Sequence, residues 1–301
     1  MAEAWHLGWW SPLAPAVDPD ELIDPSVHGG LLSAVADGSP LDHLGQARLA
    51  TLKGVGLAGP DGRPRFPVAR AEHAKALRAA ASDLGRVMAR LVAGEWSRLE
   101  VEYEQVHAIS ATPDALEPGG AGSPSHESGF AFLLVGGLLL DLGVRRLLRR
   151  QGLSAPPFGS AFVWLAEGER EAAGVWFARA TPLAGRGYLV RCGRPAAPEW
   201  TALGVDPEAA TAVPAAREPA LRELIEGFGW SVVRLVEDAM PALDPIRRRI
   251  PGADDEGAFL AWSYTLAMDA ALEALTTRGL VAPPLDGALA VRVTDPALAG
   301  L

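Results

Sequence analysis

The residues best suited to chemistry are His126-Glu127, at the head of the run Ser125 to Arg150, SHESGFAFLLVGGLLLDLGVRRLLRR. In an H-E-x-x-H helix, two histidines one turn apart face one metal and the glutamate between them acts as general base. Here the fifth place is Phe130. An imidazole supplies a lone pair and a phenyl ring cannot, so the run His126, Glu127, Ser128, Gly129 and Phe130 is either half of a metal site or none. All six histidines, at 6, 28, 43, 73, 107 and 126, lie in the first half of the chain. A metal at His126 and Glu127 would therefore need His107, another upstream histidine or a downstream carboxylate. The pair also has a structural reading, because Ser123 or Ser125 can cap a helix whose first-turn Glu127 meets the helix dipole.

Other spacings carry less. Glu104-Gln-Val-His107 spells the E-x-x-H of di-iron bundles, which requires a helix. Leu99, Val101, Tyr103, Gln105 and His107 instead alternate with Glu100, Glu102, Glu104 and Val106, so Arg98 to Ser110 is expected as a strand with an acidic outer face. Gly54-Val-Gly56-Leu-Ala-Gly59 matches the dinucleotide fingerprint by letter. It closes a helix and runs into Pro60-Asp61-Gly62-Arg63-Pro64, so it reads as a helix stop. Pro157-Phe158-Gly159-Ser160-Ala161 does not make a G-x-S-x-G elbow. Glu72-His73 is expected to face solvent.

The elements that must position these residues follow from composition and period. The 301 residues are 49% hydrophobic and 21% charged, an ordinary globular balance. A net charge of −10 argues against a nucleic-acid partner, and the short basic runs Arg145 to Arg150 and Arg247 to Arg249 read as helix ends. Cys192 is the only cysteine, which excludes an intrachain disulfide and makes the cytoplasm the default location. No leader is read at Met1 to Trp10. The apolar run from Phe130 stops at Asp141, short of the roughly 20 residues that span a bilayer, so a buried central helix is expected and no membrane partner.

Residues 1–18, with Trp5, His6, Trp9 and Trp10, read as an extended arm packed on the chain's own body. Helical patterns follow from Asp20, broken at Gly29-Gly30, then from Leu41 to Val55 and from Ala69 to Ala93, the last with Leu77, Leu84, Met88 and Leu91 as its core stripe. Phe158 to Ala166, Ala172 to Thr181 and Arg186 to Arg191 read as three consecutive strands that join Arg98 to Ser110 in one sheet. Residues 193–217 form a flexible connector. Helices are expected over Glu218 to Ala239 and Glu256 to Leu280, and a last strand over Gly287 to Thr294. The fold class is α+β: N-terminal helices, a central buried helix, an antiparallel sheet of about four to five strands, and C-terminal helices. We expect a single two-lobed domain over 1–301, mainly helical over 1–95 and mixed over 96–301.

The order of parts resembles the HExxH-type peptide beta-hydroxylases, iron-dependent enzymes of ribosomal peptide natural product pathways. The likeness rests on Leu31-Leu32-Ser-Ala-Val35-Ala36-Asp37-Gly38, on Leu41-Asp-His-Leu44 through Leu52-Lys-Gly-Val55, and on His126-Glu127-Ser-Gly-Phe130 followed by Leu139-Leu140-Asp141-Leu142. It covers about the first half of the chain. With Phe130 in place of the second motif histidine, and no histidine downstream, it implies a pseudoenzyme that has lost its metal and kept a peptide-binding surface. Such a protein would be an accessory that holds a precursor peptide for separate modifying enzymes. Strand residues Trp164, Trp176 and Tyr188 are the candidate peptide groove, and Glu100, Glu102 and Glu104 would attract a basic leader. Two rival readings are a non-haem iron hydroxylase using His126, Glu127 and His107, and a structural or oligomer-forming protein.

Overall fold

A computed structural model of the chain describes residues 4–10, 19–101, 135, 140, 148, 162–168, 177–193, 211–254, 256–281 and 289–298. The described elements are β1 (Trp5–Trp10), α1 (Pro19–Leu22), α2 (Pro25–Ala36), α3 (His43–Gly54), β2 (Val68–Ala69), α4 (Ala71–Gly94) and β3 (Phe162–Glu167), followed by β4 (Phe177–Leu183), β5 (Gly187–Gly193), β6 (Thr211–Ala212), α5 (Glu218–Arg247), α6 (Glu256–Thr277) and β7 (Leu289–Val293). The fold is α+β. Two compact units divide the chain, each collecting three separate stretches: Met1–Ala81, Leu148–Ala173 and Glu237–Leu266 in the first, and Ser82–Leu147, Gly174–Val236 and Ala267–Leu301 in the second.

The first unit is built on a three-stranded sheet of order β1-β3-β2. β1 pairs antiparallel with β3 from Trp5↔Glu167 to Trp10↔Phe162, and β2 pairs parallel with β3 through Val68↔Leu165 and Ala69↔Ala166. The tryptophan-rich start of the chain is thus a strand on its own body, with Trp10 1% exposed. Two glycines make room for its rings and their partners. Gly8 lies opposite Trp164, where an added Cβ would sit 2.2 Å from Trp164 Nε1. A Cβ at Gly29 would sit 2.3 Å from Trp5 Cγ. Gly29-Gly30 therefore does not interrupt α2 as the sequence suggested. The helix passes through it because the Trp5 ring occupies the space a side chain would need.

Local signals fix the ends of these helices. Asp24 caps α2 by accepting from the Ser26 N–H at 2.9 Å, with Pro25 at the first helical position. Asp42 caps α3 by accepting from the Gly45 N–H at 2.6 Å. Beyond Gly54 the chain takes φ 80° at Gly56, a left-handed turn that suits glycine. The Gly59 N–H then donates to the Arg63 carbonyl at 2.8 Å. The glycine run is a helix stop and a tight turn. Against these helices pack Ile23, Leu32, Leu52, Leu57, Phe66, Val163 and Leu165, all at most 2% exposed.

α4 buries Leu77, Ala81, Leu84, Met88 and Val92. The stripe ends at Val92, four residues after Met88 and fully buried, while the expected Leu91 is half-buried. A second correction follows at its end, where residues 96–101 are helical and Arg98 to Val101 is not a strand. The Leu99 N–H donates back to the Glu95 carbonyl at 3.2 Å and Leu99 is 2% exposed. One buried leucine per turn satisfies a helix as well as alternation does, and the backbone bond to Glu95 decides between them. The central helix expected from Phe130 lies outside the described residues apart from Val135 and Leu140, both buried.

The second unit holds a sheet of order β4-β5-β7-β6. β4, β5 and β7 are antiparallel neighbours and β6 joins β7 in parallel through Thr211↔Val291 and Ala212↔Arg292. The expected single antiparallel sheet is thus two smaller mixed sheets, and β3 and β4, read as sheet neighbours, belong to different ones. The end of the expected connector, 211–217, is ordered: it contains β6, and Val213 is 4% exposed. α5 passes through Pro241 and Pro245, where the sequence reading stopped at Ala239. Both prolines are exposed and one turn apart, so the hydrogen bonds they cannot donate fall on the solvated side. α6 ends at Thr277, three residues before the expected Leu280, with Gly279 at φ 71° just beyond it and Phe259, Trp262 and Leu275 fully buried.

One buried carboxylate ties this unit together. Glu218, 4% exposed in the first turn of α5, accepts from the Thr294 backbone N–H, from the Thr294 hydroxyl at 2.6 Å and from the Asp295 N–H at 2.8 Å. Arg222, one turn later, donates to Asp295 at 3.0 Å. A buried charge is tolerated when its oxygens are fully engaged.

Glu218→Ala should lower unfolding free energy by about 2–3 kcal/mol, since it takes the acceptor from three part-buried donors, the Thr294 N–H and hydroxyl and the Asp295 N–H, as measured by urea denaturation. Gly8→Val should cost about 1–3 kcal/mol by forcing the Trp164 ring from its place. Gly30→Ala, where an added Cβ meets nothing within 4 Å, is the control and should be neutral or stabilising.

Candidate functional site

β3 carries the first of the expected groove residues, and it is the most enclosed strand described. It is paired on both edges, and Val163, Trp164, Leu165 and Ala166 are all buried in succession. Alternate residues of a strand point to opposite faces, so both faces of β3 are covered. Trp164 is 1% exposed and stacks on Trp262 with ring centroids 6.0 Å apart and planes 13° from parallel. It is a core residue. An expectation of Trp164 as an open groove wall is corrected by this packing. Trp176 lies outside the described residues.

Tyr188, the third, sits half-buried on β5 between Pro182 of β4 and Val293 of β7. Its neighbours Leu189 and Val190 are 1% and 2% exposed. Two successive buried residues again mean that both faces are covered at this point of β5. Among the described residues β4 has a strand on one side only. Pro182 near its end is the kind of residue that limits edge-to-edge association.

At Glu100 the expected acidic strand face is helical. Glu100 is exposed on the helical residues 96–101, while Glu102 and Glu104 lie outside the described residues. His126, Glu127 and His107 also lie outside them. Four histidines are described. The His6 Nε2–H donates to the Gly168 carbonyl at 2.9 Å, beside the β1–β3 ladder. His43 is exposed at the start of α3. His73 is more buried than its sequence context suggested: its Nε2 lies 3.5 Å from Glu72 and its Nδ1 is buried with no partner among the described residues. His28 Nδ1 accepts from the Asp24 N–H at 3.1 Å. No three of the described His, Cys, Asp and Glu side chains gather as a metal site would require.

Two of the three arginines at the end of α5 are paired with carboxylates. Arg247 pairs with Asp244 at 2.8 Å and with Glu256 at 3.3 Å, and Arg248 pairs with Asp244 at 2.6 Å. The hydrogen bond from Arg247 holds the Asp244 carboxyl below its usual range. Among the described residues, no helix is long and apolar enough to cross a membrane.

Two surface features escaped the sequence reading. Trp230 is 51% exposed on α5, and Gly227 stands one turn before it with open space where a Cβ would go. Their signal was present in the period: Leu221, Ile225, Phe228, Val232 and Val236 form the buried stripe of α5, and position 230 is out of phase with it.

No family model matches this chain, and neither a curated protein nor a solved structure matches it.

Burial lowers the pKa of His28 from its ordinary 6.5, Arg48 lowers it further and Asp24 opposes. As pH falls, the unfolded chain takes up this proton first, so His28 contributes stability above 6.5 that is lost through its lower folded value. Protonation also removes Nδ1 as acceptor for the Asp24 N–H. Between pH 7 and 5 the wild type should lose stability more steeply than His28→Gln, as followed by urea midpoints at each pH.

Proposed function

We propose that this chain is a non-catalytic, peptide-binding accessory protein, working in the cytoplasm, that presents a ribosomally made precursor peptide to modifying enzymes. The observation that carries the reading is the β4 edge in a sheet whose two faces are covered at β5. An extended peptide adds to such an edge by main-chain hydrogen bonds, while neighbouring side chains select its residues. Tyr188 on the adjacent strand keeps its place in this reading and Trp164 does not. The resemblance to peptide hydroxylases with the second motif histidine replaced supplies the substrate class, and the net charge of −10 suits a basic leader.

The second reading is a non-haem iron peptide hydroxylase using His126 and Glu127 with His107. One observation favours it: Arg98 to Val101 is helical, which takes away the strand argument against Glu104-x-x-His107 at its first residues. Stoichiometric iron in the purified protein, lost in His126→Ala, would establish this reading over the first.

The test of the first is calorimetric titration with precursor peptides encoded beside the gene, coupled to amide hydrogen exchange. Binding should slow exchange across 177–183. A protein that binds none of these peptides and sediments as a defined oligomer is instead structural.

A further inference from the structure

Pro182 fixes which main-chain groups of β4 point out of its sheet. Proline has no N–H to donate to β5, and a proline within a sheet stands where the missing N–H would face away from the neighbouring strand. Pro182 lies opposite Tyr188 of β5, so that pair is of the non-hydrogen-bonded kind. The two kinds alternate along an antiparallel ladder, which makes Ala180↔Val190 and Ala178↔Cys192 non-hydrogen-bonded as well. The N–H and C=O groups of Ala178 and Ala180 therefore point away from β5, and those of Phe177, Arg179 and Thr181 point towards it.

The far side of the sheet gives the same alternation. The Arg292 carbonyl of β7 accepts from the Val213 N–H, just beyond β6, at 2.9 Å. The main chain of Arg292 is thus turned towards β6, and its pair with Leu189 of β5 is non-hydrogen-bonded. Leu189 is then turned towards β4, where it bonds with Thr181, and Ala180 and Pro182 are again left directed outward. Among the described residues no strand lies on that side of β4. Ala178 and Ala180, about 7 Å apart at the rise of a strand, present two donors and two acceptors there. Pro182 adds an acceptor and no donor. We infer that Ala178 and Ala180 form a main-chain clamp for an extended peptide segment, ended on one side by Pro182. This inference rests on the peptide-binding reading and adds how that edge selects. The partner must offer free N–H groups at alternate residues, and alanine at both gripping positions brings neither charge nor bulk, so the clamp reads backbone and tolerates many side chains. A second copy of β4 is disfavoured as the occupant because Pro182 withholds a donor from it.

The test is residue-resolved amide hydrogen exchange on the full chain, first without any peptide. Arg179 and Thr181 should exchange slowly and Ala178 and Ala180 fast. A synthetic ten-residue probe alternating threonine with lysine should then slow Ala178 and Ala180, and the same probe N-methylated at every residue, which keeps its charge and loses its donors, should bind about tenfold more weakly or worse. Ala180→Pro removes an outward donor only, so it should keep the urea midpoint near that of the wild type while weakening the probe about fivefold. Thr181→Pro removes a donor to β5 and should lower the midpoint clearly. The reverse alternation, slow exchange at Ala178 and Ala180 before peptide is added, equal affinity of the two probes, or equal destabilisation by the two proline variants would each overturn the clamp. Precursor peptides that bind and leave Ala178 and Ala180 exchanging fast would overturn the clamp and keep the peptide-binding reading. Protection of both alanines by the probe, with every precursor peptide unbound, would support the clamp and remove the precursor role.

Discussion

The arrangement of the first unit depends on one close approach, the indole of Trp164 laid over the bare Cα of Gly8 and stacked on Trp262. A large aromatic ring contributes most when wholly removed from water, and it can be so here because the facing strand residue has no side chain. The contact explains why the N-terminal segment is a strand and why β3 is covered on both faces. The indole N–H of Trp262 is buried with no acceptor among the described residues. Such a group costs free energy, and the stack around it offsets that cost through apolar contact.

The second unit solves a different problem. Its sheet is short, and the last strand would fray without an anchor at its end. Glu218 supplies one by gathering Thr294 and Asp295 onto the first turn of α5, where the helix dipole also favours a carboxylate. Leu189 and Val190 are both buried, so both faces of the sheet are covered at that point of β5.

Much of the local structure was legible in the residues. The glycines from 54 to 62 mark a boundary through hydrogen bonds made within a few residues, whereas the caps Asp24 and Asp42 stand inside stretches whose helical patterns begin in the sequence at Asp20 and Leu41. Leu77, Leu84 and Met88 were readable because a long helix repeats its buried face. Misreadings came where two local patterns fit equally: Leu99 and Val101 suit alternation or one helical turn, and Pro241 suits a stop or an exposed helix position. The candidate site was the less legible part. Trp164 and Tyr188 look alike in sequence, as large residues in β-like runs, yet one is enclosed in the core and the other lies half-buried next to an edge strand.

By itself the sequence determined the class of fold, the helix stop at the glycines from 54 to 62 and the phenylalanine in place of a second histidine after His126-Glu127, since each of these is carried by residue order and local period. Only the tertiary structure decided that β3 and β4 part into separate sheets, that Gly29 stays within a helix, and that Trp164 is interior while Trp230 is not. Those outcomes depend on partners far away in the chain, Gly8 for Trp164, Trp5 for Gly29 and Thr294 for Glu218, and no local period carries the identity of a distant partner.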